Sequence, residues 1–463
     1  MLHPLPVLKT GTVSIGEAMI WIIAKRELLE YLLSMKFIIG FFITIALVIM
    51  STIINATDFQ QRLNDYNAAQ QEMKSDVFYI RVYRPPDVLS TIIQGKDRTL
   101  GNRLEMTYLR LPPKTTGYMG EGRSQHHRYV AGFASIDYAF IVRIILSLLV
   151  IFLSYNAVAG EKTMGTLRLV CTNRMPRHSV LLGKFIGGLV VILMTLVVST
   201  LSMLLILIFN PYVSLHTSEW MRILSIFIES ALYLSCFFTL GLLISVVIDR
   251  PSIALTVLLQ IWIFFNIIYP NLAIITAENI YPLPTTQEVN QQKVATFQSY
   301  DAEYKTVQHD FNQAVMSGGH VPDELGLRWR ELNIKKAELE YAVDMDYSRK
   351  LTSQLNLANT LSILSPAALY DNTVIRYAGT GIDNFEKFME GVYRHWQRHT
   401  ELQILYTKNP EERRKTKLPP FSFTSEKAAE SINETLLQVS ILLFLNVIFF
   451  MLAYIKFLRK DVR

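Results

Sequence analysis

Few side chains in this sequence have the type and spacing to do chemistry. His395 and His399 stand i, i+4 on a predicted helix, which puts two imidazoles on one face; a zinc site needs a third protein ligand, and nothing nearby in the sequence supplies one. His126 and His127 are adjacent and equally alone. These histidines read as surface or structural groups, so neither a metal site nor a catalytic residue is expected. A phosphate-cradling loop needs G-x-x-x-x-G-K-[S/T], because glycine amides hold the phosphates and the hydroxyl holds magnesium. Gly183-Lys184 is followed by Phe185 and Gly95-Lys96 by Asp97, so neither fits. Cys171 and Cys236 lie in different segments and imply no disulfide framework.

Two features remain. Glu229 falls in an otherwise apolar stretch, where an unpaired acid is costly. It is a candidate for lining a substrate path, or else an interfacial or structural acid near the outer end of its span. The second is "GEKTMGTLRLV", residues 160–170, a charged segment caught between two long apolar runs.

The elements that must position these groups are membrane helices. The 463-residue chain is 51% hydrophobic and 18% charged, and its apolar residues gather in six blocks. Each block is long enough to cross ~30 Å of hydrocarbon as a helix. The expected spans are 37–54, 138–158, 185–209, 224–248, 252–275 and 435–457. Before them, residues 1–36 hold a cytoplasmic N-terminus and an amphipathic interfacial helix, in which Ile22, Leu29, Leu32 and Leu33 recur at helical spacing. The fold class is an all-α polytopic membrane protein of six transmembrane helices, with a mainly α, partly β extracytoplasmic domain.

Lysine and arginine set the orientation. Lys25, Arg26 and Lys36 precede the first span; Lys162, Arg168, Arg174, Arg177 and Lys184 lie in the 159–184 loop; Arg250 follows the fourth span; Lys456, Arg459, Lys460 and Arg463 end the chain. Positive-inside places all of these, and both termini, in the cytoplasm, with residues 458–463 as a tail. The net charge of +6 is thereby read as topological, with no nucleic-acid partner. Two long polar regions, 55–137 and 276–434, then lie outside. The first is predicted to continue span one as a helix and to hold a strand at "DVFYIRVY"; the second holds predicted helices over 324–364 and 384–406, the former stopped before Pro366.

The order of interfacial helix, span, external region, span and "GEKTMGTLRLVCTNRMPRHSVLLGKFIGG" resembles the permease subunits of ABC-2 type exporters. The matching positions are Gly160, Glu161, Lys162, Gly165, Thr166, Leu167, Pro176, Arg177, Leu182, Gly183 and Lys184. A second segment, with Ser365, Pro366, Ala367, Ala378, Gly379, Thr380 and Asp383, is similar to bacterial permeases that carry a large external insertion before the last span. The resemblance implies an inner-membrane subunit that is not itself an enzyme and binds no cofactor, with ATP and magnesium used by a separate cytoplasmic ATPase dimer. It implies a second copy or a related permease as partner, and a coupling helix over Glu161–Val170 whose charges face the ATPase, with Gly160, Glu161, Lys162, Gly165, Thr166, Leu167 and Arg168 as the coupling residues. The alternative is a complex that transmits ATPase motion to a periplasmic or envelope partner.

Overall fold

The computed structural model describes residues 15–72, 80–95, 103–106, 136–166, 177–318, 321–408, 421–423 and 425–459. His126, His127, Leu167, Arg168 and Pro176 lie outside the described residues.

The chain opens with α1 (Ile15–Leu32) and breaks at Ser34, whose Oγ accepts from the Phe37 backbone N–H and starts α2 (Met35–Glu72). Among the described residues, six helices are long and apolar enough to cross a membrane: Met35–Ala68 within α2, then α3 (Tyr138–Thr163), α4 (Arg177–Ile208), α5 (Thr217–Val247), α6 (Pro251–Ile280) and α12 (Ala428–Arg459). Between the last two lie α7 (Thr286–Phe297), α8 (Asp301–Met316), α9 (Asp323–Ser362), α10 (Pro366–Tyr377) and α11 (Ile382–Lys408). The protein is an all-α polytopic membrane protein. Among the described residues two short strands, β1 (Ile80–Tyr83) and β2 (Arg103–Met106), pair antiparallel with Ile80 opposite Met106.

Each span reaches past its most apolar residues because the helix is carried on by its caps. Glu219 reaches back to the His216 backbone N–H at 2.9 Å, starting α5 at Thr217, seven residues before the hydropathic onset at 224. Pro251 at the first turn of α6 suits a helix start, since its missing N–H is one the helix leaves unpaired anyway. The largest correction is at α4. The loop expected to run to residue 184 has given way to helix by Arg177, so Gly183 and Lys184 sit two turns inside α4.

The core is continuous through the bundle. Leu146 and Val150 of α3, Val191 and Leu196 of α4, Tyr233 and Phe237 of α5 and Leu442 of α12 pack into one cluster with the 3₁₀ turn at Val88–Thr91 and with α10. In contrast, Phe42, Leu201, Leu224, Ile228 and Phe444 point outward, as lipid-facing side chains must. Helices approach closely at small residues. A Cβ at Gly188 would overlap the fully buried Phe238 ring of α5. Gly188→Ala is therefore expected to cost about 2 kcal/mol by overpacking. Phe238→Leu should recover part of that loss, measured as the thermal midpoint of the detergent-solubilised chain; equal midpoints for wild type and Gly188→Ala would refute it.

Helices α7, α8 and α9 form a layer at the end of the bundle away from α1, which we call the distal end. Phe297, Tyr304, Phe311 and Trp329 make an aromatic column between them, and Lys293 of α7 meets Asp344 of α9 at 2.7 Å. The predicted helix over 324–364 is α9, and that over 384–406 is α11. A second small core gathers Phe385, Phe388, Val392 and Trp396 of α11 with Val82 of β1, flanked by Phe421 and Phe423.

Candidate functional site

The segment 159–166 is built by its neighbours. After α3 turns at residues 155–158, Ser245 of α5 accepts from the backbone N–H groups of Val158 and Ala159, both at 3.0 Å, and donates to Tyr155 O at 2.8 Å. One hydroxyl thus caps the last short turn, Ala159–Thr163. Gly165 ends it with φ +74°, a left-handed conformation that glycine adopts without strain. Lys162 meets Asp249, in the link between α5 and α6, at 2.7 Å.

The "LGKFIGG" motif supplies the second support. A Cβ at Gly183 would stand 2.7 Å from the Ile23 side chain, and one at Gly187 2.8 Å from Ala24 O and from Glu27 Cβ. These two glycines, one turn apart, form the groove in which α1 lies. Between them Lys184 is 2% exposed and reaches Glu27 of α1 at 2.6 Å and Glu161 at 2.9 Å. One ammonium therefore ties α1, the 159–166 segment and α4 together at a single point. Burial pushes the Glu27 carboxyl above the usual carboxylate range, and Lys184 draws it back only in part.

This geometry corrects one expectation. The charge of Glu161 does not face outward toward a partner, because the residue is 9% exposed and its carboxylate is turned onto Lys184. The Lys184 ammonium, already paired with Glu27, supplies the countercharge that lets the Glu161 carboxylate turn inward. What the segment presents outward is its tip. Thr163 and Met164 are exposed, Met164 by 67%, and the space around Gly165 is open. Sequence reasoning missed Glu27, Ser245 and Asp249, whose roles depend on contacts far apart in the chain. Arg177 donates to Leu458 O at 2.9 Å and binds the end of α12 to the start of α4.

α1 turns differently from its hydrophobic spacing alone. Ile22, Leu29 and Leu33 are exposed, whereas Ala24, Glu27 and Tyr31 are buried against α4 and its surroundings. Three of the four leucine and isoleucine positions of the row are free to meet lipid, while Leu32 is half-buried against the core and Glu27 faces the protein.

At the distal end a second polar junction forms. Arg222, 4% exposed near the start of α5, donates to Tyr377 O at 3.3 Å and to Glu426 O ahead of α12. Gly379 takes φ +71° in the turn between α10 and α11, and a Cβ there would stand 2.7 Å from the Asp87 carboxylate. Asn384 donates to Gly379 O at 2.8 Å and to Asp87 at 3.3 Å. The "AGTG" motif is thus the point where residues 87–95, α5, α11 and the approach to α12 meet. The preceding "SPAAL" caps α10, with Ser365 Oγ accepting from Ala368 N and donating to Phe265 O at 2.6 Å. α10 carries Tyr370, stacked on Tyr233, and Asp371, paired with Arg143 of α3.

His395 and His399 sit on α11, His395 against the Phe421 ring, and no third His, Cys, Asp or Glu joins them among the described residues. Burial pushes His399 down to about 4, and the neighbouring His395 adds to the shift. Below the ordinary imidazole value of 6.5 the unfolded chain takes up a proton that the folded chain refuses. Stability should therefore fall as pH drops from about 6.5 toward about 4, by about 1–2 kcal/mol because solvent screens part of the effect. Thermal unfolding of wild type and His399→Phe across that window checks this. The variant should show a flatter profile, and parallel profiles would refute the assignment.

Glu229 lies more than a third of the way along the 31-residue α5 and is 1% exposed, inside a helix seam and away from the outer end of its span.

Comparison with known proteins agrees with this architecture. A 127-residue segment is 33% identical to the probable ABC transporter permease protein NosY of Pseudomonas aeruginosa, covering 27% of this chain and 46% of that protein. The match thus spans about half of that relative's length. A family model described as ABC-2 family transporter protein matches residues 21–462. With six helices among the described residues long and apolar enough to cross a membrane and a family match over nearly its whole length, the chain belongs to the ABC-2 transporter family.

Proposed function

We propose that this permease works as an exporter subunit of the inner membrane, with both termini cytoplasmic, and that residues 160–166 receive the motion of a cytoplasmic ABC ATPase dimer. The chain acts as one half of a permease pair and leaves ATP and magnesium to the ATPase. The observation that carries this reading is the exposed Thr163–Gly165 tip on a segment held by Ser245, Asp249 and Lys184. A lever must be rigid where it joins the bundle and accessible where it is pushed. Exposed Met164 supplies the adaptable apolar contact suited to a partner's groove.

The test is Met164→Glu in the tagged full-length chain. It should reduce co-purification of the ATPase about tenfold, equivalent to about 1.4 kcal/mol, while the thermal midpoint of the permease stays unchanged. Full ATPase recovery with Met164→Glu would remove the tip from the interface.

A second reading, transmission of ATPase motion to an envelope partner, is favoured by the Arg222 junction, which ties α5 to the end of α10 and to the approach to α12. Structures of the ATPase complex with and without nucleotide separate the two. A cavity opening through the bundle supports export, and a closed bundle with displaced distal helices supports transmission.

A further inference from the structure

α5 and α12 form the most extensive helix pair of the bundle, and their seam has an imbalance. They run parallel: Arg222 meets Glu426 ahead of α12, and ten residues further along α5 Leu232 O accepts from Asn446 Nδ2 at 3.1 Å. Glu229 lies one turn distal to Leu232 on α5, and Gln438 lies two turns distal to Asn446 on α12. Among the described residues, Glu229 Oε1, Gln438 Oε1 and Asn446 Oδ1 are all buried with no hydrogen-bond donor. The Asn446 amide is oriented by its own donations to Leu232 O and Leu442 O, which leave its oxygen as an acceptor.

The charged groups nearby are already engaged. On α5 itself, Arg222 lies two turns away and donates to Tyr377 O and Glu426 O. From α10, the Tyr377 hydroxyl accepts from Thr435, Arg376 pairs with Glu434 of α12, and Asp371 pairs with Arg143 of α3. No salt bridge reaches Glu229 among the described residues. An ionised carboxylate there in hydrocarbon would have neither a donor at Oε1 nor a countercharge.

We propose that Glu229 is a proton-binding site, held as the neutral acid in this closed seam, because its buried carboxyl finds neither a hydrogen-bond donor at Oε1 nor a countercharge there. Opening of the seam to water would release the proton, so separation of α5 from α12 is favoured at higher pH. This rests on the packing of one chain and not on the ATPase-docking reading, and its test needs no ATPase.

The experiment treats the membrane-embedded full chain with dicyclohexylcarbodiimide, an apolar reagent that adds to protonated carboxyls, and maps the adduct by mass spectrometry. Labelling at Glu229 is expected at about pH 6 and should fall at least about tenfold by about pH 9 as the acid ionises. An infrared band of a protonated carboxyl should follow the same titration and vanish in Glu229→Gln, which keeps the shape of the neutral acid. Should that variant fail to fold, the wild-type titration still decides. Absence of both adduct and band at about pH 6 overturns the proposal. Protection of Glu229 by sodium at constant pH also overturns it, because the seam would then hold a metal cation instead.

Discussion

Lys184→Met is expected to cost about 3–5 kcal/mol, the usual penalty for removing one partner of a buried ion pair. The wild-type ammonium is 2% exposed and is shared by Glu27 and Glu161, which are themselves 4% and 9% exposed. Methionine fills the same groove but leaves two carboxylates facing one another with no countercharge. The thermal midpoint of the solubilised chain should fall sharply, and an unchanged midpoint would show that the triad holds nothing together. The triple variant Glu27→Gln, Lys184→Met, Glu161→Gln should recover most of the loss, since neutral groups of similar shape can replace buried charges. ATPase stimulation separates the two roles of the triad. If the triple variant regains stability and also full stimulation, the triad is a structural pin; if stimulation stays low, the charges also transmit motion.

Arg222→Met should loosen the distal end by about 2–4 kcal/mol. Two backbone carbonyls, of Tyr377 and Glu426, would lose a charged donor in a dry site. Methionine keeps most of the apolar stem, so the change isolates the guanidinium. The effect should be local: faster amide hydrogen exchange in α10, α11 and residues 88–95, with α2 to α4 little changed. Gly379→Ala should give the same pattern by another route, because a side chain there is strained at φ +71° and crowds Asp87 at 2.7 Å. Uniform exchange changes across the bundle in both variants would argue against a local junction.

Much of the architecture was legible because each membrane helix satisfies its own backbone and must be apolar along its length, so hydropathy alone reveals it. The long amphipathic runs that became α9 and α11 were legible for the related reason that good helix formers continue until a proline or glycine stops them. Boundaries were less legible. Arg177–Lys184 carries positive charge and reads as loop, yet it is helix because Lys184 finds two acids and the glycines on either side admit α1.

The candidate site was only half readable. The motif around Gly160 and Lys184 was visible through its resemblance, but the direction of its charges was not. An acid looks solvent-facing in one dimension, and only a partner 23 residues away along the chain, Lys184, turns Glu161 inward. Glu229 shows the same limit. Its place in an apolar run was plain, while its burial without a donor at Oε1 came from the packing of α5.

The sequence by itself determined that this protein lives in a membrane, that it has six spans, and where its charged segments interrupt them. Those properties follow from composition within single segments and from the cost of exposing polar backbone to hydrocarbon. The tertiary structure alone decided which charges are spent inside the protein and which surface remains for a partner. Lys184 is consumed by Glu27 and Glu161, Arg222 by two carbonyls, and Met164 is left exposed. The reason is physical: a buried charge must find its partner in space, and the helix that brings the partner can come from anywhere in the chain.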